Sequence, residues 1–168
     1  MITMKSAPCI ALLSLLLLLA TGADEVMSEN YTITPVGKIV KTSRWDVIEI
    51  YPKYRKALLG LDGFSHVIVL YWFDQNDTPE KRAKLRVYPR RDPTNPLRGV
   101  FATRAPVRPN LIAFDVCKIV SVKDTRITVE KTDALDGTPV VDLKPYIPRS
   151  DCVSGAVVPP WVGRGLDE

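Results

Sequence analysis

The chain has 168 residues, of which 25% are charged and 46% hydrophobic, and its formal net charge is +4. This length suits one domain with its own core and is short for two. With one histidine and three cysteines that show no C-x-x-C spacing, the sequence offers little to a Cys/His zinc site or a Ser-His-Asp triad, and we predict no metal.

Residues 1–26 form an apolar leader. Lys5 precedes an uncharged run over residues 6–23 that contains LLSLLLLLA, and small residues follow at Thr21-Gly22-Ala23. A positive start, a short apolar stretch and a small-residue end are typical of a secretory signal, which would export the protein. The alternative is that Met27, which opens MSENYTITPVG, is the functional start of a cytoplasmic protein.

Short strands joined by turns are predicted along the rest of the chain. One helix is expected over PKYRKALLG, which begins at Pro52, and HVIVLYWF is continuously apolar, as in a fully buried strand. The strands are expected over residues 31–40, 46–51, 66–73, 84–88, 99–103, 115–122, 126–131 and 139–143. The pattern predicts an all-β barrel or sandwich with one short helix.

Two motifs of nucleotide-binding proteins are missing from the sequence, and its two cysteines outside the leader suggest no special chemistry. There is no G-x-G-x-x-G motif and no P-loop, so the sequence does not predict a Rossmann-type nucleotide site. Cys117 and Cys152 could form one bridge at most, and we interpret them as buried free thiols.

The stretch from residue 80 to 108 is strongly basic. It contains nine basic residues and two acidic ones, Glu80 and Asp92. An excess of this size indicates a surface that meets phosphate. The alternative is a solvated basic loop.

Three polar stretches are candidates for chemistry. Asp74-Gln75-Asn76-Asp77 directly follows the most apolar strand, and polar groups at a barrel mouth can point into a pocket. The same residues also suit an ordinary turn.

The second stretch is GVFATRAPVRPNLIAFD, residues 99–115. Arg104 and Arg108 offer forks of donors to phosphate, carboxylate or a base, and Pro106 and Pro109 restrict the chain to extended shapes. We therefore expect a strand that ends in a stiff loop carrying the arginines, with Asn110 able to pair with a base edge. The alternative is an irregular edge strand with solvated arginines.

The third stretch is EKTDALDGTPVVDLKPY, residues 130–146. It places acidic and basic groups around an Asp-Gly turn, namely Asp133, Asp136, Asp142 and Lys144. Buried charges of this kind must be paired or hydrogen-bonded. The alternative is a structural turn with an Asp–Lys pair.

Three long motifs in one order, LDGFSHVIVLYW, GVFATRAPVRPN and LDGTPVVDLKPYIP, closely resemble the TsaA-like (TrmO) family over about residues 31–151. The resemblance implies a small, mostly antiparallel β-barrel domain over residues 27–151, with a tail over 152–168. It also implies S-adenosyl-L-methionine as cofactor. The implied reaction is methylation of N6 of threonylcarbamoyladenosine in the anticodon loop of tRNA, by a homodimer with its site near the interface.

Carried over by motif, the resemblance implies a cofactor pocket formed by Asp74, Gln75, Arg104, Phe114, Glu130, Lys131, Thr132 and Asp133. Arg108, Asn110, Asp136, Asp142 and Lys144 also match the motifs, and we expect them to shape the site or hold the RNA. No catalytic residue is assigned.

The sequence also departs from the family pattern. Ala113 and Asp115 replace a glycine and a small hydroxyl residue, and KTSRW (residues 41–45) stands in place of a longer proline-arginine-glutamine loop. The alternative to a tRNA methyltransferase is therefore a barrel of the same fold that binds the cofactor or RNA without this catalysis. A third reading, suggested by the leader alone, is an exported barrel with an unrelated ligand.

Overall fold

The computed structural model describes residues 30–162, so the leader and the end of the tail lie outside the described residues. Its strands are β1 (Gly37–Lys41), β2 (Asp46–Ile50), β3 (His66–Trp72), β4 (Arg86–Val87), β5 (Arg98–Gly99), β6 (Ile112–Lys123), β7 (Arg126–Val129) and β8 (Pro139–Pro145). The α-helices are the single turns α1 (Pro79–Arg82) and α2 (Pro148–Asp151). The 3-10 helices are Pro52–Leu58, Leu61–Gly63, Asp74–Asn76, Pro89–Arg91 and Val100–Ala102.

Six strands close into a barrel in the order β1-β2-β7-β6-β3-β8, and every neighbouring pair is antiparallel. β4 and β5 form a separate two-stranded sheet. Closure pairs the strand edges that would otherwise be open to other chains. The predicted all-β fold, a small antiparallel barrel, is confirmed.

The barrel interior is filled by aliphatic side chains that alternate along each strand. The fully buried ones include Ile39, Ile48, Val67, Val69, Ile127, Val129 and Val140. Each such burial stabilises the fold by about 1.5–3 kcal/mol. β-Branched residues dominate because they fit the pleated wall of a sheet.

The prediction of a fully buried β3 is wrong. Its burial alternates, with Val67, Val69 and Tyr71 buried and the residues between them half-buried. A strand in a barrel wall has one face in the core, and among residues 30–162 the other face of β3 stays half-exposed. Ile68 and Leu70 therefore lie on an apolar outer face.

Two predicted strands also change. The strand expected over residues 31–40 begins only at Gly37, since Pro35 precedes it and supplies no N–H to a ladder. The strand expected over residues 99–103 is instead the 3-10 turn Val100–Ala102, anchored by the buried Val100. The helix expected from Pro52 forms, with 3-10 geometry.

The barrel closes between β1 and β8 through its shortest strand pairing. These strands pair only through Gly37 with Val140 and Lys38 with Pro139. A pocket of about 410 Å³ lies at this seam, lined mainly by apolar side chains from the Pro52–Leu58 and Leu61–Gly63 turns and by Leu143. Asp142 is the one carboxylate in its lining.

Cys117 is buried and Cys152 is exposed, and both thiols are free. The prediction of free thiols is confirmed, but burial is wrong for Cys152, which follows the one-turn helix α2 at the surface. Within residues 30–162, no helix has the length and apolar character needed to cross a membrane.

Candidate functional site

The end of β3 and the start of β6 lie side by side at one end of the barrel, and the segment after β7 runs along β6 toward them. Trp72 pairs with Ile112, so the turn holding Asp74 and Gln75 leaves β3 beside the start of β6. Along the other edge of β6, the Glu130 N–H donates to the Lys118 carbonyl at 3.0 Å, level with the start of β3. From there the segment runs along β6 until the Asp133 N–H donates to Asp115 Oδ2 at 3.2 Å, closer to Ile112. The structure therefore brings three of the predicted stretches to β6.

Arg104 is held against Phe114. Its guanidinium carbon lies 4.6 Å from the ring centroid, so the cation rests on the π-face of an exposed ring. Arg104 belongs to the loop before β6 and Phe114 to β6 itself, so this contact holds the loop of the second stretch against the strand that follows it.

The loop that carries Arg104 is stiffened by side chains as well as prolines. Arg108 donates through Nη1 to the carbonyls of Thr103 at 3.2 Å and Ala105 at 3.4 Å. Arg108 therefore stabilises the shape of the loop to which it belongs and which also carries Arg104. Asn110 is exposed at the end of this loop.

Arg82, which the motifs did not single out, joins this loop to Asp77 at the end of the turn after β3. Arg82 donates through Nε to Asp77 at 2.7 Å and through Nη1 to the Pro109 carbonyl at 2.9 Å. Trp72 donates its indole N–H to the same carboxylate at 3.0 Å. The hydrogen bonds from Arg82 and Trp72 hold the pKa of Asp77 below its usual range.

The segment after β7 is fixed by a buried carboxylate, Asp46. The Thr132 N–H donates to Asp46 Oδ2 at 2.7 Å, and Lys41 Nζ donates to the same oxygen at 2.7 Å. Lys131 Nζ lies 3.4 Å from Oδ1. Burial raises the pKa of Asp46, but the hydrogen bonds from Lys41 and Thr132 and the two lysine charges together hold it below its ordinary value.

Asp115 ties the same segment to β6. Its carboxylate accepts the Asp133 N–H at 3.2 Å and the Val116 N–H at 2.8 Å. Asp115 pairs with Val69 in the register and so shares the inward face of the barrel with Tyr71. Burial, followed by the charges of Asp115 and Asp133, raises the pKa of Tyr71 to about 12.

The remaining predicted residues lie around this group. Asp136 accepts the Lys41 main-chain N–H at 2.8 Å, and Glu130 pairs with Lys118 at 3.1 Å. Asp142 and Lys144 pair with each other at 2.8 Å. Since Leu70 pairs with both Asp142 and Phe114, those two residues lie in one row on the outer face, separated by one strand.

The basic stretch borders the site through β4, β5 and their turns. Its exposed cations include Lys84, Arg86, Arg90, Arg91 and Arg104. Tyr88 and Phe101 are exposed aromatics of the same stretch, at 46% and 79%. Their neighbours Pro89 and Val100 are buried, so both aromatic side chains are presented from anchored backbone.

Reasoning from the sequence missed the roles of Lys41, Asp46 and Arg82, and it named Asp77 only as part of a polar stretch. Lys41 and Asp46 flank the four residues between β1 and β2, where the strand pattern is interrupted, and this interruption was the only local signal. Within the described residues, no group of three or more His, Cys, Asp or Glu side chains is arranged to hold a metal ion.

Curated relatives match most of the barrel. The chain is 40% identical over 122 residues to the "Probable S-adenosyl-L-methionine-binding protein" of Methanocaldococcus jannaschii, which covers 73% of this chain and 97% of the relative. It is 44% identical over 107 residues to the S-adenosyl-L-methionine-binding protein of Archaeoglobus fulgidus, covering 64% of this chain and 73% of that protein.

A solved structure and a family profile agree with these matches. The crystal structure of TrmO from Pseudomonas aeruginosa superposes with a TM-score of 0.60 and 31% identity, over 77% of this chain and 61% of that chain. This chain therefore spans less than two thirds of that TrmO. Residues 28–152 match the profile described as the tRNA-methyltransferase O N-terminal domain. The chain belongs to the family of the tRNA-methyltransferase O N-terminal domain.

Proposed function

We propose that this protein is a methyltransferase that uses S-adenosyl-L-methionine. Its family and the names of its relatives support the reaction class. The observation that carries the proposal is the placement along β6 of three features: the Arg104–Phe114 contact, the Asp133 end of the Glu130–Asp133 segment, which bonds to Asp115, and the turn that holds Asp74.

The donors present at this end of the barrel fit such a cofactor. A guanidinium can bind the carboxylate of the methionine moiety bidentately, which suits Arg104. Carboxylates suit an ammonium group, ribose hydroxyls or a positive sulfur, and Asp74, Glu130 and Asp133 supply them. The exposed ring of Phe114 offers a flat apolar face, as aromatic side chains in binding sites do.

The cofactor would supply an activated methyl group for an in-line displacement. The chain's own residues then have to hold two partners in line and exclude water, and such positioning contributes roughly 7–11 kcal/mol to lowering a barrier. The rigid attachments of the segment after β7, through Asp46 and Asp115, suit this task. No residue is assigned as a general base.

We infer that the substrate is tRNA, methylated at N6 of threonylcarbamoyladenosine in the anticodon loop. The basic stretch offers cations to phosphates, and exposed Tyr88 and Phe101 suit the stacking of unpaired bases. A target base would be turned out of its single-stranded loop into the site. Because the cofactor and this substrate are cytoplasmic molecules, we propose that the protein acts in the cytoplasm.

We also propose a homodimer through the outer face of β3 and β6. Ile112, Phe114 and Val116 are 37–45% exposed there, on one side of a single strand, and the exposed Lys118, which pairs with Glu130, bounds this apolar row. A contiguous exposed apolar face marks an interaction surface. A second copy on this face would lie directly beside Phe114.

The cofactor proposal is tested by calorimetry with S-adenosyl-L-methionine. We expect micromolar binding by the wild type, loss of binding in Arg104→Ala, and retention in Arg55→Ala. Arg55 is the matched control, since it bonds to Asp124 at the far end of β6. A wild-type protein that shows no binding would overturn the proposal.

The substrate proposal is tested with labelled cofactor and tRNA that either carries or lacks the threonylcarbamoyl group. Label at N6 of the modified adenosine supports it. Cofactor binding without methyl transfer would instead favour a binding module of the same fold.

The dimer proposal is tested by light scattering on Val116→Lys and Val153→Lys. Both valines are exposed, at 41% and 72%, but only Val116 lies on the proposed face. We expect a monomer for Val116→Lys alone, and a monomeric wild type would contradict the interface.

A further inference from the structure

Lys41 and Asp46 close the β1–β2 hairpin at the end of the barrel that carries the site. They are the last paired residues of the hairpin register, and their side chains meet at 2.7 Å between Nζ and Oδ2. Asp46 is fully buried, whereas the Lys41 side chain is about one third exposed, at 31%. We name this pair the clasp.

The clasp holds both main-chain polar groups of Thr132. Asp46 Oδ2 accepts the Thr132 N–H at 2.7 Å, and Lys41 Nζ donates to the Thr132 carbonyl at 2.6 Å. Lys41 Nζ also lies 3.4 Å from the Thr132 hydroxyl. Hydrogen bonds to charged groups are stronger than those between neutral groups. Because two such bonds hold the N–H and the carbonyl of Thr132, they fix the orientation of its backbone.

Two further contacts extend this hold along the segment. The Lys41 main-chain N–H donates to Asp136 Oδ1 at 2.8 Å, and Lys131 Nζ donates to the Thr42 carbonyl at 2.5 Å. The residues on both sides of Thr132 are thus tied to the β1–β2 hairpin. Thr132 itself is buried, while Lys131 and Asp133 on either side of it are exposed.

This arrangement determines where the neighbouring side chains point. With Thr132 buried and pinned, Lys131 and Asp133 must face outward at a fixed angle. Full burial of the Asp46 carboxylate is costly unless it is paired and hydrogen-bonded, and each of its oxygens has a partner from Lys41, Lys131 or Thr132. The segment cannot shift without leaving that carboxylate poorly paired.

We propose that Lys41 and Asp46 are positioning residues for the cofactor, which fix Glu130–Asp133 in its binding conformation before the cofactor arrives. Fixing a binding segment in advance strengthens binding because less ordering is left to occur on association. This inference rests on the proposed use of S-adenosyl-L-methionine. Neither residue is required to touch the cofactor.

The test compares Lys41→Met and Asp46→Asn with Lys38→Met. Lys38 pairs with Glu49 in the same hairpin register, at 3.5 Å, and takes no part in the site, so it is a matched control. Calorimetry with S-adenosyl-L-methionine is expected to show affinity lowered by about tenfold or more in the clasp variants. Lys38→Met should remain within about twofold of the wild type, and Lys41→Arg should recover most of the loss.

Amide hydrogen exchange without the cofactor supplies a second readout. We expect the Thr132 and Asp133 amides to exchange about tenfold faster in the clasp variants, with Ile48 and Ile127 in the barrel wall unchanged. A general loss of stability would instead speed exchange throughout the barrel. Asp46→Asn keeps the size of the side chain, so it serves as the second variant if Lys41→Met does not fold.

The outcomes separate the two proposals. Wild-type affinity in folded clasp variants overturns the clasp proposal and leaves the cofactor proposal standing. A wild type that binds no S-adenosyl-L-methionine overturns both. Weaker binding together with faster exchange confined to the segment after β7 supports both.

Discussion

The guanidinium of Arg104 lies 4.6 Å over the ring of Phe114 and so joins a proline-rich loop to β6. Both side chains are exposed, which leaves them accessible to a ligand. The contact keeps the arginine at the site even though Pro106 and Pro109 take its loop out of the barrel ladder. Loop and strand are therefore coupled through one cation–π pair.

This coupling is measurable as a double-mutant cycle on Arg104→Gln and Phe114→Leu. We expect a coupling of about 0.5–1 kcal/mol in the free energy of unfolding, the usual size for an exposed cation–π pair. Urea unfolding of the four proteins measures it. The cycle of Arg55→Gln with Phe114→Leu should show additive effects, and coupling of equal size there would contradict the assignment.

The barrel itself was predictable because its signals are local. Alternating β-branched residues, turn residues between them and the near absence of long amphipathic helices point to an antiparallel all-β domain. The errors come from tertiary context. The run HVIVLYWF does not indicate that one face of β3 lies outside the core. Val100–Ala102 leaves the ladder because Val100 is anchored in the fold.

The site was predictable only in part, for a similar reason. Motifs name residues but not partners. Arg108 was expected to shape the site or hold the RNA, and only the structure shows that it bonds to the carbonyls of its own loop. Asp46 looked like an ordinary strand residue. Its importance arises from Thr132, which lies 86 positions away along the chain, and no periodicity or spacing encodes that contact.

The close approach of β1 to β2 at Gly37 predicts a sharp difference between two glycines. A Cβ on Gly37 would collide with the main-chain oxygen of Glu49, whereas a Cβ on Gly63 would meet no atom within 4 Å. We expect Gly37→Ala to destabilise the protein by about 1–3 kcal/mol. Gly63→Ala should stay within about 0.5 kcal/mol of the wild type. Equal urea midpoints for the two variants would contradict the tight pairing.

Acid should weaken the fold partly through Asp46. Its pKa in the folded protein lies below the ordinary value of about 3.9, so its stabilising contribution is present above pH 4. That contribution is lost as the pH falls through the folded pKa. We expect Asp46→Asn to be less stable than the wild type at pH 6, with a gap that narrows below about pH 4. Urea unfolding at a series of pH values from 6 down to about 3 measures the gap, and a gap that stays constant below about pH 4 would rule out this role for Asp46.

The two described thiols should differ in reactivity toward iodoacetamide. Burial, together with nearby Asp115 and Asp46, raises the pKa of Cys117 to about 12, and the side chain is 2% exposed. The thiolate is the reactive form, so Cys117 should stay unmodified at pH 8.5 while exposed Cys152 reacts. Peptide mass spectrometry after labelling measures both sites, and labelling in urea is the control in which both react. Because unfolding would free Cys117 to ionise, stability should also fall as the pH rises above about 8.5, the ordinary thiol pKa. Rapid modification of Cys117 in the folded protein would show that this side of the barrel interior opens to solvent.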